Sequence, residues 1–114
     1  METIKVQSII ERDTAVSTDD GQKVHDQIQS LFSQADVIEV DFSGIQIMTT
    51  AFLNAALGQL YSSYTGDVLN SKLKLTHVSE TDKVLFKKVV TRAKEYFANK
   101  ADFDSSANNV LYGD

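Results

Sequence analysis

The 114-residue chain has no cysteine and no proline, and its formal net charge is −5 at pH 7. That length supports one domain with one core, and the missing thiols exclude disulfides, thiolate metal sites and cysteine nucleophiles. The acidic balance argues against nucleic acid as a partner, and no apolar run approaches the ~20 residues of a membrane span.

The amino terminus METIKVQSII has neither the basic flank nor the small-residue cleavage site of a signal peptide, so the expectation is a soluble cytoplasmic protein without membrane contact. Thr3 to Ile10 begins with the apolar–polar alternation of a strand that has one wet face. Arg12 to Val16 reads as a short second strand, hairpin-paired with the first. Ser17 then opens a helix: Asp20 stands three residues on, as in a capping box, and the acids suit the positive end of the helix dipole. Val24, Ile28, Leu31 and Phe32 repeat at the spacing of one helical face, and the helix is expected to stop near Gln34. His25 falls on its wetter side and is read as a surface residue, since no second histidine or acid shares its face at metal-ligand spacing.

Asp36 to Phe42 is rich in β-branched residues and reads as a strand, and Ser43-Gly44 turns the chain. Thr49 or Thr50 caps the next helix, which is expected to run to about Tyr64. Its residues Phe52, Leu53, Ala55, Ala56, Leu57 and Leu60 are apolar nearly all round, as for a helix buried on more than one side or one at an interface. Lys72 to Val78 alternates as a strand with Leu73, Leu75 and His77 on one face; His77 is read as a core-edge histidine rather than a base. Ser79 caps a last helix, whose apolar stripe runs from Val84 or Leu85 to Phe97. Residues 80–100 hold six bases against three acids, where residues 1–79 hold five bases against ten acids, and this basic stretch is read as a solvated helix face.

The order is β(β)αβαβα: a single α/β domain over residues 1–100, with about four strands in a mostly parallel sheet and three helices. Residues 101–114, rich in Ser, Asn and Asp, read as an irregular tail in which Val110, Leu111 and Tyr112 pack back on the body or extend an edge strand.

The stretch Val40-Asp41-Phe42-Ser43-Gly44-Ile45-Gln46-Ile47-Met48-Thr49-Thr50-Ala51-Phe52-Leu53 places a strand, a turn and hydroxyls at the mouth of a helix. It resembles the STAS superfamily, the fold of bacterial anti-anti-sigma factors, and within it the small STAS-like branch of uncharacterised bacterial proteins. Asp41-Phe42-Ser43-Gly44 fits the family's D-x-S-G element, and Thr49-Thr50-Ala51-Phe52-Leu53 stands where its D-S-S-G-L or D-S-T-G-L element belongs. Ungapped alignment puts Ala51 where the family carries its phosphorylated hydroxyl, leaving Thr50 one residue and Thr49 two residues earlier. The resemblance implies a regulatory module without enzymatic activity, and a partner such as a GHKL-type ATPase or kinase or a sigma-pathway component.

No P-loop, GxGxxG, metal constellation or nucleophile elbow occurs, so no cofactor and no metal are expected. Candidates for partner binding or phosphorylation are Ser43, Thr49, Thr50 and Phe52, provided Phe52 is exposed beside the threonines. Asp41 and His77 are candidates for a ligand edge at the carboxyl ends of the strands. A small-ligand or nucleotide site there would need a pocket lined by Asp41, Ser43, Thr49 and a lysine. An acid–base pair of Asp41 and His77 would require folding to bring the two together, and a homodimer through the apolar helix or the tail is a further reading.

Overall fold

The computed structural model of the chain describes the backbone of residues 1–112 and the side chains of residues 1–97. In chain order it contains β1 (Glu2–Lys5), α1 (Val6–Ile10), β2 (Thr14–Ala15), α2 (Thr18–Phe32), β3 (Ile38–Asp41), β4 (Ile47–Met48), α3 (Thr50–Ala56), a 3-10 segment (Gly58–Ser62), α4 (Gly66–Lys72), β5 (Leu73–Thr76) and α5 (Glu80–Tyr112). Strands β1, β3 and β5 form a parallel sheet with β3 at its centre, and β2 pairs with β4 in a separate parallel ladder. The α/β class and the parallel sheet expected from the alternating elements are therefore present, with more and shorter elements than expected.

Register explains which face is covered. Ile4, Val40 and Leu75 stand in one row across the sheet, and Lys5, Asp41 and Thr76 in the next. Successive side chains alternate between faces, so one face is apolar and the other polar. Helix α2 packs against β1, β3 and α3, while α5 packs against α3 and the 3-10 segment. Ile4, Val24, Ile28, Ile38, Val40, Phe42, Phe52, Leu53 and Leu60 are buried between these layers. The polar face carries its own bonds: Glu39 accepts from Thr3 Oγ1 at 3.1 Å and from Thr76 Oγ1 at 2.8 Å. A parallel sheet normally has both faces covered, so the polar side of this one is a departure that the alternation of β3 (Ile38, Val40 in; Glu39, Asp41 out) already encodes.

Two caps fix where the long helices begin. Ser17 Oγ accepts from the Asp20 amide at 3.1 Å, and Ser79 Oγ accepts from the Asp82 amide at 3.1 Å. The Asp20 carboxylate lies 3.4 Å from Arg12 Nε and 3.7 Å from Lys23 Nζ, so its buried charge is neutralised by side chains. At Gly21 the helices α2 and α3 meet so closely that a Cβ would stand 2.5 Å from the Phe52 carbonyl oxygen and 2.7 Å from Ala55 Cβ.

Several expectations are corrected. The hairpin between β1 and β2 does not form; α1 intervenes, and β2 pairs in parallel with β4 instead. Val6 and Ile10, four apart and both buried, bind α1 to the core, and Glu11 ends it in the left-handed region with φ 57°. The helix that opens at Thr50 does not continue to Tyr64: it breaks at Leu57 and passes into the 3-10 segment, and Thr65 caps α4 by accepting from the Val68 amide at 3.2 Å. His25 is buried, because α2 packs against both the sheet and α3 and so buries a wider arc than its apolar stripe predicts. On α5, Phe86, Val89 and Ala93 are buried, whereas Val84 and Tyr96 are exposed. The backbone of α5 is helical to Tyr112, where an irregular tail was expected from Ala101; no glycine or proline stands between Ser79 and Gly113 to stop it. The packing expected of Val110, Leu111 and Tyr112 lies outside the described side chains.

Candidate functional site

Thr49 is the cap of α3. Its hydroxyl accepts from the Phe52 amide at 3.2 Å and donates to the Val16 carbonyl at 2.9 Å, and its own amide donates to the Ala15 carbonyl at 3.1 Å. The threonine thus satisfies one orphan amide of the helix while tying it to β2, a role worth ~1 kcal/mol as a cap alone. Thr50 follows as the first helical residue, half-buried, and Ala51 is exposed.

The β2–β4 ladder sets what surrounds this mouth. Thr14 pairs with Ile47 and Ala15 with Met48. Paired residues of a parallel ladder point to the same side, so Ala15 and Met48 turn inward, where both are buried. Thr14, Val16, Ile47 and Thr49 share the outer side. Ile47 is 54% exposed and Val16 41% exposed, so two branched apolar side chains flank the capping threonine on the open surface. Phe52, by contrast, is fully buried in the core beneath the helix and cannot be the exposed anchor expected there. The interface reading thereby loses the anchor expected at Phe52, and the apolar side chains exposed near the threonines are those of Ile47 and Val16. The sequence hides this because residues 45–48 read only as a spacer; the alternation of Ile47 out and Met48 in becomes visible once β4 is paired.

Asp41, Ser43 and His77 meet at the carboxyl ends of β3 and β5. Asp41 Oδ1 accepts from the Ser43 amide at 2.8 Å and lies 2.8 Å from His77 Nδ1. The turn reading of Asp41 and Ser43 describes this geometry, and Gly44 completes the turn with φ 83°. Partial burial pushes the Asp41 carboxyl up, but the Ser43 amide and hydroxyl and the adjacent His77 outweigh it and hold the carboxyl below its ordinary value. Ionised, the carboxylate only accepts, so His77 Nδ1 is the donor of this bond, and in the neutral ring Nε2 is the nitrogen that carries the lone pair. The His77 side chain is 62% exposed and its backbone sits in the left-handed region with φ 59°, a conformation that costs a non-glycine residue ~1 kcal/mol or more. His77 is therefore held at the sheet edge against the acid, outside the core.

This trio is not arranged as a nucleophilic triad, because Ser43 bonds the acid through its backbone amide and its hydroxyl makes no hydrogen bond to His77. A groove of about 590 Å³ is lined by Tyr61, Tyr64, Gly66, Asp67, Lys94 and Phe97 on the α4–α5 side. None of the main grooves among the described residues is lined by Asp41, Ser43, Thr49 or His77. The strand-end pocket that a small-ligand site requires is thus not seen there. Among the described residues no group of three or more acids or histidines stands together as a ligand set, and no helix is long and apolar enough to cross a membrane.

Comparison with protein families matches residues 20–83, more than half of the chain, to the model of a STAS-like domain of unknown function (DUF4325). The chain belongs to this STAS-like family. The matched span opens at Asp20 in the first turn of α2 and closes at Lys83 in the first turn of α5, so it takes in β3, the Asp41–His77 pair, β4 and the mouth of α3. The family is related to anti-anti-sigma factors. No curated protein and no solved structure matches the STAS-like chain.

Proposed function

We propose that this STAS-like domain is a non-enzymatic regulatory interaction module of the anti-anti-sigma kind, which binds a protein partner with the outer face of the β2–β4 ladder and the mouth of α3. The observation that carries the reading is the exposure of Ile47 and Val16 on either side of the Thr49 cap. Exposed apolar side chains next to satisfied backbone suit a docking surface: they contribute burial energy on association without leaving polar groups unpaired. Thr50 and Ala51, the first residues of α3, extend the same rim. A GHKL-type ATPase or kinase, or a sigma-pathway component, is the partner that the family relationship favours. Thr49 uses its hydroxyl in both directions, so Thr50 is the hydroxyl at the helix mouth that a kinase would modify with less disturbance of the cap.

Paired variants test the reading. Ile47→Asp places a charge at the centre of the surface, and Val68→Asp places one on α4, where Val68 is 40% exposed and distant in sequence from the ladder. Neither removes a buried contact, so each is expected to keep stability within about 0.5 kcal/mol of wild type. Capture from the native host, quantified by mass spectrometry, should lose its principal partner with Ile47→Asp, by about tenfold or more in affinity, and keep it with Val68→Asp. Equal capture by both variants would remove the β2–β4 surface from the account.

A further inference from the structure

The Asp41–His77 pair has no part in the surface just described, and its chemistry is specific. An imidazole whose Nδ1 proton is held by a carboxylate presents Nε2 as a nucleophile or base in a fixed direction. His77 does this on the open sheet edge, with its side chain mostly in solvent. His77 lines none of the grooves described above, so its ring is open to a donor that approaches from outside the chain. Acyl transfer would need a preorganised oxyanion site, and the neighbouring Ser43 amide is spent on Asp41 instead. Phosphoryl transfer asks less of an acceptor: an in-line lone pair and compensation of charge. Lys5 stands opposite Asp41 in the sheet register and on the same face.

We propose that His77 is a phosphoryl acceptor, modified at Nε2 by a donor that approaches from outside the chain, with Asp41 as its positioning residue. The Nε2 lone pair forms the bond to phosphorus as the donor's bond to its leaving group breaks, and the leaving group departs with that electron pair. The ring becomes positively charged, the Asp41 carboxylate compensates it through the Nδ1 proton, and that proton can then pass to solvent. The inference is independent of the partner surface, and an Ile47→Asp variant that kept its partner would leave it standing.

Potassium phosphoramidate is the probe, since it delivers a phosphoryl group with ammonia as leaving group and needs no kinase. The full chain is incubated with it near neutral pH and followed by intact mass and phosphorus NMR, with N-acetylhistidine as the free reference and buried His25 as the internal comparator. One phosphate is expected on His77, at Nε2 alone, forming about tenfold faster than on N-acetylhistidine. Asp41→Asn should remove that advantage and let the phosphate distribute over both ring nitrogens, a change of regiochemistry that a purely structural role would not produce. Ser43→Ala, which leaves the acid and its histidine in place, should keep both features. A wild-type rate no faster than N-acetylhistidine, a phosphate placed on His25, or Nε2 selectivity that survives in folded Asp41→Asn would each overturn the proposal.

Discussion

Phe52→Ala is expected to lower stability by about 3–5 kcal/mol, the range for removing a fully buried aromatic side chain from a packed core. Phe52 is the third residue of α3, and α3 packs against α2 on one side and α5 on another, so a cavity at this position has walls in three helices and little freedom to collapse. Urea denaturation should show the midpoint falling by about 2 M or more with little change in slope. The residue sits beside the candidate surface in sequence, which makes the result informative about function. A variant near wild-type stability that nonetheless lost its partner would mean that Phe52 is a surface anchor and that the packing described above is wrong.

Gly21→Ala is the second large effect, and its sign separates two arguments. Helix propensity alone predicts a gain of about 1 kcal/mol, because glycine is poor in a helix interior. Packing predicts a loss, since the new methyl group would sit 2.5 Å from the Phe52 carbonyl oxygen and 2.7 Å from Ala55 Cβ. Neither neighbour is the far end of a flexible side chain, so relief requires α2 and α3 to move apart, and overpacking of this kind costs about 1–3 kcal/mol. A net loss in chemical denaturation is the expected result. A net gain would show that the two helices pack less closely than described.

Local signals carried much of this fold. The Ser17 and Ser79 caps, the Thr49 cap and the β-branched run of β3 are each set by neighbours within a few residues, and those elements were legible in the sequence. The Asx turn of Asp41 and Ser43 was legible for the same reason. What escaped is set by distant partners. Strands β2 and β4 have two residues each, too few to show a period, and their ladder joins segments more than thirty residues apart. The exposure of Val16 and Ile47 follows from that ladder alone. His25 misleads because a helix packed on two sides buries more than its apolar stripe. Helix α4 carried a signal that was passed over, a Thr65 cap followed by Asp67 in the first turn. The meeting of Asp41 and His77 needed β3 and β5 to be neighbours, which the order of elements allowed but did not require.

The central claim is that the partner contacts the outer face of the β2–β4 ladder and the opening of α3. Amide hydrogen exchange of the full chain, alone and with the partner captured by wild type and lost by Ile47→Asp, tests it most directly. Added protection is expected over residues 14–16 and 45–51, with α4 and the exposed side of α5 unchanged. Protection confined to α5 or to the β5 edge, with residues 14–16 and 45–51 exchanging as in the free chain, would contradict it.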